Sequence, residues 1–500
     1  MLGNKLFLSG SLLRNACAFV LVLSCAACVT TKPQSAQACF EARGEQFGEV
    51  LSCYRQAQMH VPLVYRSISM SKTDGLEQRT YQMDSQSWSP DHAVVPEKWL
   101  HTVDVIIPDD AIAGRALLVI NNGTYAAPDQ PERPPTDFSI ASLRSIAQRT
   151  RTPVVSVGYI PNQPLVYLGD DKPKREDDSV ALSWKWFLDR PQAQAFTPLQ
   201  VPMMAAVLKA MDLAEKELSA LQVKRFVVSG VSKRGWSAWH TALTDARVEA
   251  IVPFVIDTLN FPEMISHTYK TYGNNWPIAL GSYAKEGIAR RWHTENFERL
   301  MEVIDPWTYR QGPHASRLMI PKYIVNASGD DFFVSDNARF YFDALPGTKA
   351  LRVAPNSSHY GIKEYTTPSL VSFVNRLQGA QKLPEVTSAL TSEAGVDMVS
   401  VQFSELPIEV TQWTAMNPVA RDFRYACGIR YVARSDASHI ALQTKFSLAK
   451  PREGWTASFI EARFSDGFVA TTRVYVSPDA AYPEQAPPSD TAACRTIPGL

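Results

Sequence analysis

The chain has 500 residues, more than one hydrophobic core usually serves, since cores stop growing near ~250–300 residues. Hydrophobic residues make up 45% and charged residues 20%, and Lys plus Arg equals Asp plus Glu at 50 each. This neutrality excludes the global field that would draw the chain to nucleic acid or to a strongly acidic partner.

Residues 1–28 read as a signal peptide. Lys5 and Arg14 give the positive start, and Ala16 to Val29 is apolar but too short to span a bilayer. Its end, Val22-Leu23-Ser24-Cys25-Ala26-Ala27-Cys28, resembles a bacterial lipoprotein box, with Cys25 or Cys28 as the lipidated residue. Cys25 has Val22 and Ser24 in the customary places; Cys28 follows Ala27 but has Cys25 where a branched aliphatic residue is normal. The expected location is the periplasm or a membrane, the outer one favoured, reached through an N-terminal lipid anchor, with secretion as the other outcome. Cys39, Cys53, Cys427 and Cys494 then remain, and an even count in an oxidising compartment favours disulfides. Of the three possible pairings, Cys39–Cys53 and Cys427–Cys494 join sequence neighbours. The mature chain has no Cys-x-x-Cys pair and no His cluster at ligand spacing, so neither a metal nor a cofactor is expected.

Residues 29–60 form a lead-in with helical spacing from Cys39 to Gln56. Strand-like runs follow at Tyr81 to Trp88, Leu100 to Pro108, Arg115 to Ile120 and Pro153 to Tyr159, with a helical stretch at Ser139 to Arg149. Residues 160–200 are polar and punctuated by proline, and Met204 to Leu221 places its apolar residues on one face of a long helix. Phe226 to Ser229, Val248 to Ile256, Pro321 to Ala327 and Leu351 to Ala354 are further buried strands. Val- and Ile-rich strands alternating with helices mean a parallel sheet covered on both faces, an α/β fold over residues 61–385. Gln378 to Glu393 reads as a linker. Residues 395–480 turn to short strands without helices, a β-sandwich-like module, and 481–500 are an extended tail pinned near Cys494.

Gly230-Val231-Ser232-Lys233-Arg234-Gly235-Trp236 breaks a strand and opens a helix, the way a nucleophilic serine is carried in α/β-hydrolases, although Arg234 stands where a second glycine is usual. A nucleophile needs a base, and the base an orienting acid, in the order Ser, Asp, His along this fold. Asp330 ends the Lys322–Gly329 strand and turn, and His359 ends the loop after Leu351–Ala354. Asp331, left to cap a helix near Val334, and Asp257, one strand earlier, are the alternative acids. The oxyanion hole is expected from the backbone N–H of Lys233 and one from Asn121-Asn122-Gly123-Thr124, with Gly123 and Thr124 as candidates. Residues 258–318 read as a lid-like insertion rich in Tyr and Trp, some lining a cleft and some packing its own core. His240 reads as structural, His267, His293 and His314 as lid surface, and Lys233 with Arg234 as a solvated face.

The Ser232-to-Trp236 run, Trp239, Val252 to Asn260, Tyr272-Gly273, Asp305-Pro306, Gly329 to Phe333 and Arg421-Asp422-Phe423-Arg424 together resemble the PhoPQ-activated pathogenicity-related protein family over roughly residues 60 to 480. The resemblance makes Arg234 a family trait. It implies an α/β-hydrolase fold with a C-terminal β module in an exported or lipid-anchored bacterial protein. Because such proteins usually carry another residue after the first Asp of the Gly-Asp motif, it also favours Asp330 over Asp331. The expected function is an exported serine hydrolase acting on an ester or amide of a small molecule or peptide. A non-catalytic binding or signalling protein on the same scaffold is the alternative.

Overall fold

The computed structural model describes residues 34–499 except 129, 394–395, 436–440 and 490, so the expected signal peptide, with Cys25 and Cys28, lies outside the described residues. Among the described residues no helix is long and apolar enough to cross a membrane.

The central sheet has nine strands: β1 Val64–Thr73, β2 Leu76–Ser87, β3 Lys98–Pro108, β4 Arg115–Ile120, β5 Val154–Val157, β6 Arg225–Val231, β7 Val248–Phe254, β8 Lys322–Ala327 and β9 Lys349–Ala354. Their order is β1-β2-β3-β5-β4-β6-β7-β8-β9. The first three are antiparallel, β3 also runs antiparallel to β5, and every later neighbour is parallel.

The period of two explains why this sheet is buried twice over. In β4, Ala116, Leu118 and Ile120 join one core, while Leu117 and Val119 join the other. Phe226 and Val228 of β6 face the first core and Val227 the second. Helices α3 Ile140–Thr150 and α10 Lys363–Gln378 cover the second face; α2 Val50–Gln58, α5 Gln200–Glu217 and α6 Lys233–Thr244 cover the first. A short helix α1 Ala36–Ala42 is bonded to α2 by the disulfide Cys39–Cys53. Helix α4 Glu176–Asp189 and the insertion helices α7 Phe261–Thr271, α8 Gly281–Lys285 and α9 Glu295–Ile304 lie beyond the first face.

After α10 come two antiparallel sheets. β10 Val386–Glu393, β11 Val396–Phe403 and β14 Gln443–Ser447 form one; β12 Glu409–Asn417, β13 Val432–Ser435, β15 Trp455–Arg463, β16 Val469–Thr471 and β17 Tyr475–Ser477 form the other. They continue the two cores rather than closing one of their own, with Ala457 and Phe459 in the first and Val399 and Phe464 in the second; Phe468 stacks on Tyr323 of β8 at 4.6 Å, and Thr471 accepts a hydrogen bond from the Val353 N–H of β9.

Several elements depart from the sequence reading. The expected linker ends in strand β10, paired with β11 from Val386↔Phe403 to Glu393↔Val396. Strand β1 went unread because nine of its ten residues are exposed, which removes the buried stripe a strand normally shows. Helix α4 hides in the polar 160–200 stretch, since its first turn is Glu176-Asp177-Asp178 with no capping side chain. The tail is not merely extended: Thr496–Pro498 pairs antiparallel with Asn275–Pro277 of the insertion, Ile497 opposite Trp276. The disulfide Cys427–Cys494 fixes the tail just before that strand.

Candidate active site

The parallel strands end in register along one edge. Ile120 lies opposite Gly230, Phe254 opposite Val231 and Val325, and Ala327 opposite Ala354. The loops that follow therefore meet above one edge, and all candidate residues lie on them.

Ser232 joins β6 to α6 at φ 57° and ψ −129°. A side-chain-bearing residue held there stores about 1–3 kcal/mol of strain, so its neighbours must enforce the turn. Two glycines do so. A Cβ on Gly230 would lie 2.5 Å from the Arg234 carbonyl carbon, and one on Gly235 would lie 2.9 Å from the Gly230 oxygen and from Ile256. Gly235 thus supplies the close approach expected from a glycine one place earlier. The Ser232 N–H donates to the Phe254 carbonyl at 2.8 Å, and Trp236 N–H donates to the Ser232 carbonyl at 3.1 Å, opening the helix.

Lys233 and Arg234 are buried, not solvated. Arg234 donates through Nε to the Ile160 carbonyl at 2.7 Å and through Nη2 to Glu176 at 2.5 Å; Lys233 Nζ donates to the other Glu176 oxygen at 2.8 Å. Burial opposes ionisation of Glu176, yet Arg234 and then Lys233 hold its carboxyl well below the usual range. Gln163 extends the network by donating to Glu176 at 2.7 Å and to the Gly123 carbonyl at 2.8 Å. The serine turn and the Gly123 loop are in this way built as one polar assembly. Glu176 and Gln163 were missed in the sequence, where the only signal was an acidic triplet in α4 matching two basic residues in α6.

The two candidate N–H groups of the Gly123 loop differ in what they bind. Thr124 N–H is committed to the Arg133 carbonyl at 2.8 Å, so Thr124 does not offer it. The Gly123 N–H has no hydrogen bond among the described residues, and Gly123 adopts φ 133°, where a Cβ would strike the Tyr159 ring at 2.9 Å.

His359 Nδ1 lies 2.9 Å and 3.1 Å from the two Asp330 oxygens, and both residues are buried. Asp330 is itself oriented by the N–H groups of Phe332 and Phe333, which donate to its Oδ1 at 2.8 and 3.2 Å. With a proton on Nδ1, Nε2 keeps its lone pair, and it forms no hydrogen bond among the described residues. The C-terminal module holds both loops from behind. Tyr425 N–H donates to the Gly329 carbonyl at 3.0 Å, and the Asn356 amide pairs with both backbone groups of Tyr431 at 2.7 and 2.9 Å.

Asp331 does not cap a helix: the turn that follows begins at Asn337, and Asp331 accepts the His359 backbone N–H at 3.3 Å. Asp257 points elsewhere, taking the Tyr341 hydroxyl. Burial pushes the Asp257 carboxyl up to about 7, as it does that of Asp305. Unfolded, such a carboxyl loses its proton near 3.9. The stability these two groups contribute is therefore full below about pH 4 and is lost as pH rises to about 7. Burial also lowers the buried His101 and His240 to about 4, which acts in the opposite sense over this range, so the quantity to read by scanning calorimetry is a difference: the Tm of wild type should fall relative to that of Asp257→Asn between about pH 5 and pH 7. A constant difference would remove Asp257 from that titration.

Ser232 opens on an apolar cleft walled by Trp184, Trp236, Phe261, Trp276, Trp292 and Phe332 among others. The Phe332 ring also packs against His359, with centroids 4.5 Å apart. The Ser232 hydroxyl makes no hydrogen bond among the described residues. The structure thus joins Asp330 to His359 and sets Ser232 on the cleft whose wall they back.

Of the insertion's aromatic residues, Trp276, Tyr283 and Trp292 line the cleft, while Tyr272 and Tyr309 are buried in packing. His240 is structural, its Nε2 2.8 Å from the Ile304 carbonyl. His267 is not lid surface. It is buried 2.9 Å from Asp336 and 3.0 Å from the Tyr482 hydroxyl, while His314 is half-buried beside Ser52 and His293 is exposed. Cys427 and Cys494 lie beside Asp422, but their sulfurs are bonded to each other and Asp422 is paired with Arg424 at 2.6 Å, so this cluster does not fit a metal.

The strand exchange between β4 and β5, helices on both faces and a serine on a sharp turn after β6 define an α/β-hydrolase fold. The chain belongs to the PhoPQ-activated pathogenicity-related protein family, which matches residues 51–424. It is 29% identical over 408 residues to autocrine proliferation repressor protein A of Dictyostelium discoideum, covering 77% of this chain and 79% of that protein. Among solved structures, an acetyl xylan esterase from Paenibacillus sp. R4 aligns with TM-score 0.44 and 11% identity over 66% of this chain and 93% of its own. A glucuronoyl esterase from Solibacter usitatus aligns with TM-score 0.37 and 13% identity over 63% and 86%.

Proposed function

We propose that the protein is an exported serine hydrolase that cleaves an ester or amide through an acyl-enzyme on Ser232. The observation that carries the reading is the buried Asp330–His359 pair, set at the same sheet edge as a strained serine that opens on an apolar cleft.

Ser232 Oγ attacks the carbonyl carbon as its proton passes to His359 Nε2. Asp330 fixes the imidazole and stabilises its cationic form without taking the proton. The oxyanion is held by the N–H groups of Lys233 and Gly123, the first strengthened by the N-terminal end of α6. Collapse breaks the bond to the leaving group, which takes the proton from His359. Water then attacks the acyl-enzyme, gives its proton to His359, and the returning proton frees Ser232 and the acid product.

Export is supported by the two disulfides, which suit an oxidising compartment, and by the leader with its lipidation candidates Cys25 and Cys28. The rival reading, a regulator without catalysis, draws on the name of the Dictyostelium relative. The two readings separate on one assay. Purified protein should hydrolyse 4-nitrophenyl esters, and Ser232→Ala should lower the rate at least about 10³-fold. A folded wild type as slow as the variant would favour the regulator.

A further inference from the structure

We propose that the substrate has two parts: a bulky apolar group that enters the aromatic cleft, and an anionic group on the other side of the scissile carbonyl, held by Arg133 and Arg175. This rests on the serine-hydrolase reading and names the chemistry that the same site selects.

The apolar half follows from how the cleft's polar atoms are used. Trp184 Nε1 donates to Gln200 at 3.0 Å, Trp236 Nε1 to the Ile304 carbonyl at 2.5 Å, and the Tyr283 hydroxyl to Asp177 at 3.0 Å. These rings turn their hydrogen-bonding atoms into the protein and leave carbon surface to a ligand. The one cation at the cleft among the described residues, Lys233, is already neutralised by Glu176 at 2.8 Å and Asp177 at 3.4 Å. A charged group entering here would lose its hydration with no free opposite charge to pair it, whereas an aromatic or branched group would gain by burial.

The anionic half follows from a second cleft, which meets the first at Asp177 and is lined by Asn122, Gly123, Arg133, Arg175, Glu176 and Asp178 among others. Among the described residues, two of its three lining acids are paired with cations and the third with a hydroxyl. Glu176 holds Lys233 and Arg234, Asp177 holds Lys233 and the Tyr283 hydroxyl, and Asp178 accepts from Ser282 at 2.7 Å. Glu132, next to Arg133 in the chain, accepts the Tyr159 hydroxyl. Neither guanidinium of Arg133 and Arg175 makes a hydrogen bond or ion pair among the described residues, so two unpaired cations face one lining carboxylate, Asp178, that is bonded only to a hydroxyl. Arg133 is also held beside the oxyanion loop, since its backbone exchanges two hydrogen bonds of 2.8 Å with Thr124. A guanidinium fork matches the geometry of a carboxylate or a phosphate.

The test compares matched esters. Phenylacetyl glycolate and phenylacetyl glycolamide differ in one charge, phenylacetyl ethylene glycol phosphate carries the other anion, and benzyl malonate against benzyl malonamate reverses the ester. Wild type should prefer one anionic ester over its neutral partner by about tenfold in kcat/KM, and the larger of the carboxylate and phosphate preferences identifies the group. Arg133→Ala with Arg175→Ala should bring that ratio to about one while the neutral ester keeps its rate. An acetyl group in place of phenylacetyl should lower kcat/KM at least about tenfold. No anion preference in either orientation, a preference that survives the double variant, or equal rates for acetyl and phenylacetyl esters would overturn the inference. If the folded protein turned over none of these esters, the hydrolase reading itself would fail. The ratio of Kd values from quenching of the cleft tryptophans by the same pairs would still decide the binding question.

Discussion

Asp330→Asn is expected to lower kcat/KM about 10⁴-fold, whereas Asp331→Asn and Asp257→Asn should stay within about tenfold of wild type. The reason is geometric. Only Asp330 reaches His359 Nδ1, at 2.9 Å, and an amide there would present an N–H or a neutral oxygen to the ring. It would favour the tautomer with its proton on Nε2, which cannot accept one from Ser232. Asp331 instead accepts the His359 backbone N–H, which places the loop but does not touch the imidazole. Asp257 is occupied by Tyr341. Initial rates with one ester and all three variants check this. A loss in Asp257→Asn equal to that in Asp330→Asn would move the acid to the preceding strand.

Arg421→Met should destabilise the protein by about 3–5 kcal/mol, the largest single-residue effect expected away from the cleft. The Arg421 side chain is fully buried and donates through Nη2 to Asp336 at 2.7 Å. Burial opposes ionisation of Asp336, but Arg421 and then His267 hold its carboxyl well below the usual range. Removing the guanidinium leaves a buried carboxylate with too little compensation. The cost also spreads, because Arg421 donates to Thr271 of α7 at 3.2 Å and lies over the Tyr482 ring of the tail at 5.2 Å. The central loops, the insertion and the tail all meet at this one side chain. Urea unfolding measures the loss, and Asp336→Leu added to Arg421→Met should recover part of it. An unchanged midpoint in the single variant would refute the coupling.

The catalytic candidates were legible because each follows a short strand rich in apolar residues and needs only local sequence to place it. Ser232, Asp330 and His359 end β6, β8 and the loop after β9, and chain order alone suggests their roles. What stayed hidden was what long-range pairing decides. Nothing near Arg234 shows that it will be buried against Glu176, because the partner lies 58 positions earlier in a helix that itself reads as polar coil. Thr124 looked as good an oxyanion donor as Gly123 until its N–H was found bonded to Arg133. His267 reads as an insertion surface, and only the fold brings Asp336 and Arg421 to it. The tail's short strand carries no signal of its own either. Its partner is Asn275–Pro277, and together they back Trp276 of the cleft. The C-terminal module reads as short strands without helices, which fits its two antiparallel sheets, but its hold on the central domain emerges only in the fold, through Tyr425 on the Gly329 turn and Tyr431 on the Asn356 loop.

The most direct test of a nucleophilic serine is covalent capture. A fluorophosphonate probe should label the folded wild type at one site, mapped by mass spectrometry to Ser232, and should leave folded Ser232→Ala unlabelled. Labelling that persists in Ser232→Ala, or a folded wild type that takes no probe, would contradict the account.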